Sequence, residues 1–167
     1  LVQSAERLLV REDPEVSELI KTRFESEGIK VMLNTKAEAV DDGLATIDAK
    51  GQSQKIAFDQ ILLAVGRAAN VEGVGLEKAG IAFDRRGIKV DEYLRTSQKH
   101  IYACGDVVGP YQFTHTADFQ ARLILRNALF PGKSKINYSV VPWCTFTEPE
   151  VARVGLNESE AGQSATA

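Results

Sequence analysis

The chain has 167 residues, 44% hydrophobic and 26% charged, which is enough for a packed domain and excludes a disordered or collagen-like polypeptide. Lys and Arg total 20 against 23 Asp and Glu, a net charge of -3 with no basic stripe, so nucleic acid is not an expected partner. The longest apolar run, residues 61–65, is too short to cross a bilayer, and the opening residues lack a signal-peptide pattern. Cys104 and Cys144 lie too far apart in sequence to form a dense disulfide frame or, alone, a zinc site, so a reducing, cytoplasmic setting is the expectation.

In chain order, Leu1 and Val2 read as the end of a strand, with preceding sequence expected. Asp13 is placed to cap a helix with Pro14 at its first position, and Val16, Leu19, Ile20 and Phe24 fall on one face before Gly28 stops it. The charges Arg11, Glu12 and Asp13 read as a solvated helix start. Strands are predicted at 29–33, 37–40, 44–49 and 54–58, the later ones joined by Asp42-Gly43 and Lys50-Gly51 turns into a meander. Ile61 to Val65 is apolar without alternation, as in a strand covered on both faces, and the chain is expected to change domain at Gly66.

Further on, Arg85-Arg86-Gly87 marks a turn before a strand at 88–90, and a second buried strand is predicted at 101–104. A helix then begins near 114–116, with Ala117, Ala121, Ile124, Leu125 and Ala128 as its expected apolar stripe, and ends at Pro131-Gly132. Val140, Val141, Phe146, Val151 and Val154 suggest strands of a third unit, followed by a new helix near Ser159. Tyr138, Trp143 and Phe146 read as core or interface aromatics, since no basic residues interleave with them.

The stretch around Asp106 carries the most chemistry. It sets an acid at the carboxyl end of a strand, where open α/β sheets bind ligands, with Gly105 allowing a close approach. The following helix start offers backbone N–H groups and a partial positive charge to an anion. The same residues also fit a plain turn acid, with His115 a helix-start residue.

Ile101-Tyr-Ala-Cys-Gly-Asp-Val-Val-Gly109 resembles the second FAD-binding motif of the pyridine nucleotide-disulfide oxidoreductases. Ile61-Leu-Leu-Ala-Val-Gly-Arg-Ala-Ala-Asn70 is similar to the family segment that leaves the nicotinamide-nucleotide domain, and residues 141–158 to the opening of its C-terminal interface domain. The nearest resemblance is to the dihydrolipoamide dehydrogenase and mercuric reductase branches. The implied fold is α/β: part of a two-dinucleotide-binding, three-layer ββα architecture with the start of an α+β interface domain. Residues 1–69 would end the NAD(P)-binding domain, 70–137 the FAD-binding domain, and 138–167 would begin the dimerisation domain.

The resemblance implies that Asp106 holds a ribityl hydroxyl of FAD, with Gly105 beside it. Gln112, Phe113, Thr114, His115 and Ala117 would approach the pyrimidine side of the isoalloxazine, where a helix N-terminus stabilises the negative charge of reduced flavin. Gly66 and Ala37 would meet the nicotinamide nucleotide. Gln3 stands where NAD-using members commonly carry an acid, so NADH and NADPH both stay open.

The redox cysteine pair and the His-Glu dyad of the family have no match here, and neither His100 nor His115 fits the latter. Residues 73–80 carry glycines at the wrong spacing for a dinucleotide fingerprint. The expected role is therefore cofactor binding within a homodimeric enzyme that passes electrons from NAD(P)H through FAD to a small disulfide or similar acceptor. A relative without the cysteine pair fits less well because of residues 141–158. A non-catalytic remnant or association module is the competing expectation, since missing halves of the nucleotide-binding domains would leave apolar surface exposed.

Overall fold

A computed structural model describes residues 1–165, in two compact units. The first contains Leu1–Ala64 and the chain from Pro142 onward, the second Val65–Val141.

In the first unit, Val2 pairs in parallel with Met32 through one bridge, where the sequence suggested strands on both sides. Helix α1, Pro14–Ser26, begins where proline is pre-set for a first turn. Its buried residues are Ser17 and Ile20, while Leu19, expected on the inner face, is exposed. Ser17 can be buried because its hydroxyl donates to the Leu8 carbonyl at 2.6 Å. The expected meander forms from β1 (Thr35–Asp41), β2 (Leu44–Ala49) and β3 (Gln52–Ala57), antiparallel in that order, with Ile47 buried at its centre. Both connecting dipeptides, Asp42-Gly43 and Lys50-Gly51, have positive φ at each residue, the backbone that matches strand twist in a two-residue hairpin.

The unit also contains the hairpin β4 (Pro142–Thr145) and β5 (Val151–Val154), then α2 (Glu158–Ala165), near the predicted helix start at Ser159. Here the charge cluster at 11–13 departs from its expected solvation. Glu12 is only 5% exposed, accepts a hydrogen bond from the Trp143 indole N–H at 2.8 Å and pairs with Arg153 at 3.3 Å. The Arg153 guanidinium also stands 4.3 Å from the Trp143 ring centroid and pairs with Glu160 at 3.0 Å. Asp13 accepts the Glu158 N–H at 3.2 Å and makes no hydrogen bond as a cap of α1. Burial of Glu12 is tolerated because its carboxylate accepts the indole N–H and is ion-paired with Arg153.

Residues 61–65 form no strand, and Leu62 and Val65 are each 90% exposed. A strand is defined by a hydrogen-bonded neighbour, and among the described residues nothing pairs with this segment.

In the second unit, Val71, Leu76 and Ile81 form a core, with Phe83, Ile88, Ile101 and Val107 packed against it. A short hairpin, β6 (Phe83–Asp84) and β7 (Gly87–Ile88), replaces the longer strand expected at 88–90. A Cβ on Gly87 would sit 2.0 Å from the Val107 carbonyl oxygen, which accepts the Ile88 N–H, so only glycine lets the two backbones meet. The predicted strand at 101–104 is reduced to a Tyr102–Arg95 bridge and is half-buried.

The loop feeding that bridge is fixed by Asp91. Its Oδ1 accepts the Tyr93 and Arg95 N–H groups, each at 3.0 Å, and its Oδ2 accepts the Arg95 side chain at 2.9 Å. Burial by itself would raise the carboxyl, but the Arg95 backbone and guanidinium, the Tyr93 N–H and Lys99 outweigh it and hold the pKa at about 2. A carboxyl depressed on folding stabilises the fold above its ordinary value of 3.8, and that contribution is lost as the pH falls through about 2. Denaturant titrations between roughly pH 4 and 2 are expected to show about 1–2 kcal/mol more loss in the native protein than in Asp91→Asn. Parallel curves for the two would refute this.

Helix α3, Thr114–Leu129, starts where predicted but buries a different stripe: Thr116, Gln120, Leu123 and Asn127, while Leu125 is exposed. Two amides replace the expected alanines because each is hydrogen-bonded. Asn127 donates to the Ser134 carbonyl and accepts its N–H, both at 2.8 Å. Among the described residues, no helix is long and apolar enough to cross a membrane.

Candidate functional site

The residues singled out from sequence divide between the two units. Gly66, Gly105, Asp106, Gln112, Phe113, Thr114, His115 and Ala117 lie in the second, Gln3 and Ala37 in the first.

Within the second unit, the turn and the helix start come together. Gly105 has φ +81°, and a Cβ there would meet the Ala117 methyl at 3.6 Å, ordinary contact. Its glycine is therefore required by backbone conformation more than by crowding. The turn closes when the Val108 N–H donates to the Gly105 carbonyl at 3.0 Å. Asp106 points outward, its side chain 53% exposed, with Oδ2 3.3 Å from Arg67 Nη1. The same guanidinium nitrogen donates to the Gln112 carbonyl at 3.3 Å, so Arg67 ties the Asp106 turn to the segment entering α3. Both ends of this ion pair are exposed, so it contributes at most about 1 kcal/mol and leaves the carboxylate accessible.

Helix α3 begins without a side-chain cap and without an acid in its first turn. Its N-terminal partial charge is therefore uncompensated by its own residues. Thr114 and His115 are exposed there, and Ala117 is half-buried. A row of rings leads to it. Tyr138 lies 5.7 Å from Tyr111, Tyr111 lies 6.4 Å from Phe113, and Phe113 stacks on His115 at 5.2 Å.

Three residues had no assigned part in this arrangement from sequence alone. Arg67 follows Gly66 inside the contiguous motif at 61–70, but its partners lie about 40 residues on. Gln120 is fully buried, accepting the Gly105 N–H at 2.6 Å and donating to the Tyr138 hydroxyl at 2.8 Å. Burial pushes the Tyr138 phenol up, opposed by that hydrogen bond. The available signal was an amide in register with Thr116 and Leu123 on one helix face.

In the first unit, Gln3 is half-buried, and its side-chain oxygen accepts the Ala5 N–H at 3.4 Å. Ala37 is exposed on β1 opposite Ile47, beside a bulge. Cys104 and Cys144 are free, half-buried thiols. Among the described residues, no His, Cys, Asp and Glu cluster could hold a metal ion.

An outward acid at a glycine turn beside an uncapped helix start offers an acceptor for hydroxyl groups and a dipole end that favours negative charge. The family model for pyridine nucleotide-disulphide oxidoreductases matches residues 1–121, and the chain belongs to that family. It is 39% identical over 166 residues to a mercuric reductase of Staphylococcus aureus, covering 96% of this chain and 30% of the relative. It is 36% identical over 168 residues to a dihydrolipoyl dehydrogenase of Mycobacterium leprae, covering 96% of this chain and 36% of the relative. The fold is similar to the HOCl-induced flavoprotein disulfide reductase RclA from Escherichia coli, with TM-score 0.85 and 30% identity, covering 97% of this chain and 38% of that one. The chain thus spans about a third of the length of the relatives it matches. The α/β fold is that of the FAD- and NAD(P)-binding disulfide reductases, and the family's enzymes are oxidoreductases that use FAD and NAD(P)H.

Proposed function

We propose that the protein carrying this chain is an FAD-dependent pyridine nucleotide-disulfide oxidoreductase, and that this chain supplies cofactor-binding parts. The reading is carried by the accessible Asp106 carboxylate held beside the uncapped start of α3. The residues fit FAD chemically: a carboxylate accepts hydrogen bonds from sugar-alcohol hydroxyls, and a helix N-terminus favours negative charge. When bound, FAD supplies the electron acceptor between NAD(P)H and a disulfide or metal acceptor.

In this scheme Asp106 accepts from a ribityl hydroxyl, and Gly105 sets its turn. Gln112, Phe113, Thr114, His115 and Ala117 bring the helix dipole and backbone donors to the pyrimidine edge. Arg67 holds the Asp106 turn and the Gln112 carbonyl together. Gly66, Ala37 and Gln3 serve the nicotinamide nucleotide, and the neutral Gln3 amide leaves 2′-phosphate repulsion out of the site. We assign residues 1–69, 70–137 and 138–167 to the ends of the NAD(P) and FAD domains and to the start of an interface domain. The complete protein is read as a cytoplasmic homodimer.

The test is a flavin spectrum. The purified complete protein is expected to be yellow, to release FAD on denaturation and to be bleached by NADH or NADPH. A colourless protein that gains no flavin on incubation with FAD would refute the reading. It would favour an association module, for which the uncovered Leu62, Leu63 and Val65 are the supporting observation.

A further inference from the structure

We propose that Gln120 and Tyr138 are a positioning pair that sets the angle of the Gly105–Asp106 turn on α3, and through it the affinity and spectrum of the flavin held there. The proposal rests on the flavoenzyme reading above.

Gln120 belongs to α3, yet its side chain spends its hydrogen bonds outside that helix. One end accepts the Gly105 N–H at 2.6 Å, on the residue next to the ligand-facing acid. The other donates to the Tyr138 hydroxyl at 2.8 Å. Both ends are shielded, since Gln120 has no exposed surface. A donor and an acceptor used in opposite directions fix the amide's rotation, and that rotation fixes where the Gly105 N–H points. Without this contact, the turn would keep the Val108 closure, the Ile88 N–H on the Val107 carbonyl and the exposed Arg67 bridge, none of which holds the Gly105 N–H. An exposed arginine on a long side chain is a loose restraint beside a buried amide.

Tyr138 extends the restraint to the other half of the site. Its ring is 5.7 Å from Tyr111, the first of the rings that lead through Phe113 to His115 at the helix start. One amide therefore links the acid's turn with the aromatic run-in to the dipole end. A second buried amide on the same helix separates this role from simple packing. Asn127 is equally buried and doubly bonded, but to Ser134, away from the turn in sequence and in bonding.

The test compares Gln120→Met, Gln120→Glu, Tyr138→Phe and Asn127→Leu in the complete flavin-loaded protein. FAD affinity and the fine structure of the visible flavin band are read beside thermal stability. Gln120→Met is expected to weaken FAD about 10- to 100-fold and to blur the band, because Gly105 N–H and Tyr138 OH both lose their partner. Tyr138→Phe keeps the Gly105 contact and is expected to weaken FAD about threefold to tenfold. Gln120→Glu, whose protonated acid reproduces the acceptor and donor of the amide, is expected to restore affinity to within about threefold. Asn127→Leu is expected to lower stability with the flavin affinity and band unchanged. If Gln120→Met folds with native affinity and spectrum, the positioning role is overturned while the flavoenzyme reading stands. If Gln120→Met does not fold, a Tyr138→Phe protein with native affinity and band overturns it equally. A native protein that holds no FAD overturns both.

Discussion

Asp106→Ala is expected to weaken FAD binding about 100-fold, the loss that corresponds to about 2.7 kcal/mol. A charge-assisted hydrogen bond to a hydroxyl lies in the range of about 1.5–3 kcal/mol, and the ligand hydroxyl would be left without its acceptor. Asp106→Asn keeps an acceptor oxygen without the charge and is expected to lose about tenfold. The two effects should be separable from stability. The carboxylate is 53% exposed and its partner Arg67 is 67% exposed, so removing the pair leaves no buried charge behind. Equilibrium titration of the apoprotein with FAD, beside a denaturation curve, measures both. Undiminished affinity in Asp106→Ala would remove the central residue of the site.

Glu12→Ala is expected to be the most destabilising of the substitutions considered, by about 3 kcal/mol. It removes the acceptor of the Trp143 indole N–H and one of the two carboxylates on Arg153. Arg153 is only 12% exposed, so its charge would remain largely desolvated with Glu160 as its remaining partner. Trp143 is the single tryptophan of this chain, which gives the change a spectroscopic signature. Its emission is expected to shift to the red as water reaches the indole. Glu12→Gln retains an acceptor for the indole and is expected to lose about half as much. A Glu12→Ala protein with an unchanged unfolding midpoint would show that the network contributes little beyond solvation of its members.

Much of this molecule was legible in sequence because its signals are local. The start of α1 follows from Pro14, the two hairpin turns of the meander from Asp-Gly and Lys-Gly pairs, and the start of α3 from the run after Asp106. The motif that names the family is likewise contiguous, so Asp106, Gly105, Gln112, Phe113, Thr114, His115 and Ala117 stand out before any contact is known. The two absent strands share one physical cause. Residues 61–65 and 101–104 have strand composition, but a strand exists only with a hydrogen-bonded neighbour, and hydrophobicity does not specify one. Helix α3 was misread by rotation, since alanine and leucine were assumed to face inward, whereas satisfied amides at 120 and 127 occupy that face.

The sequence by itself determined the family, the helix starts, the meander and the acid-plus-helix pattern, since backbone propensity and contiguous motifs operate within a few residues. Only the tertiary structure decided which side chains serve them. Arg67 reaches Asp106 and Gln112, Gln120 reaches Gly105 and Tyr138, and Glu12 meets Trp143 from 131 positions away. These buried polar groups are tolerated because their hydrogen bonds are met, and those partners are chosen by the folded path of the chain.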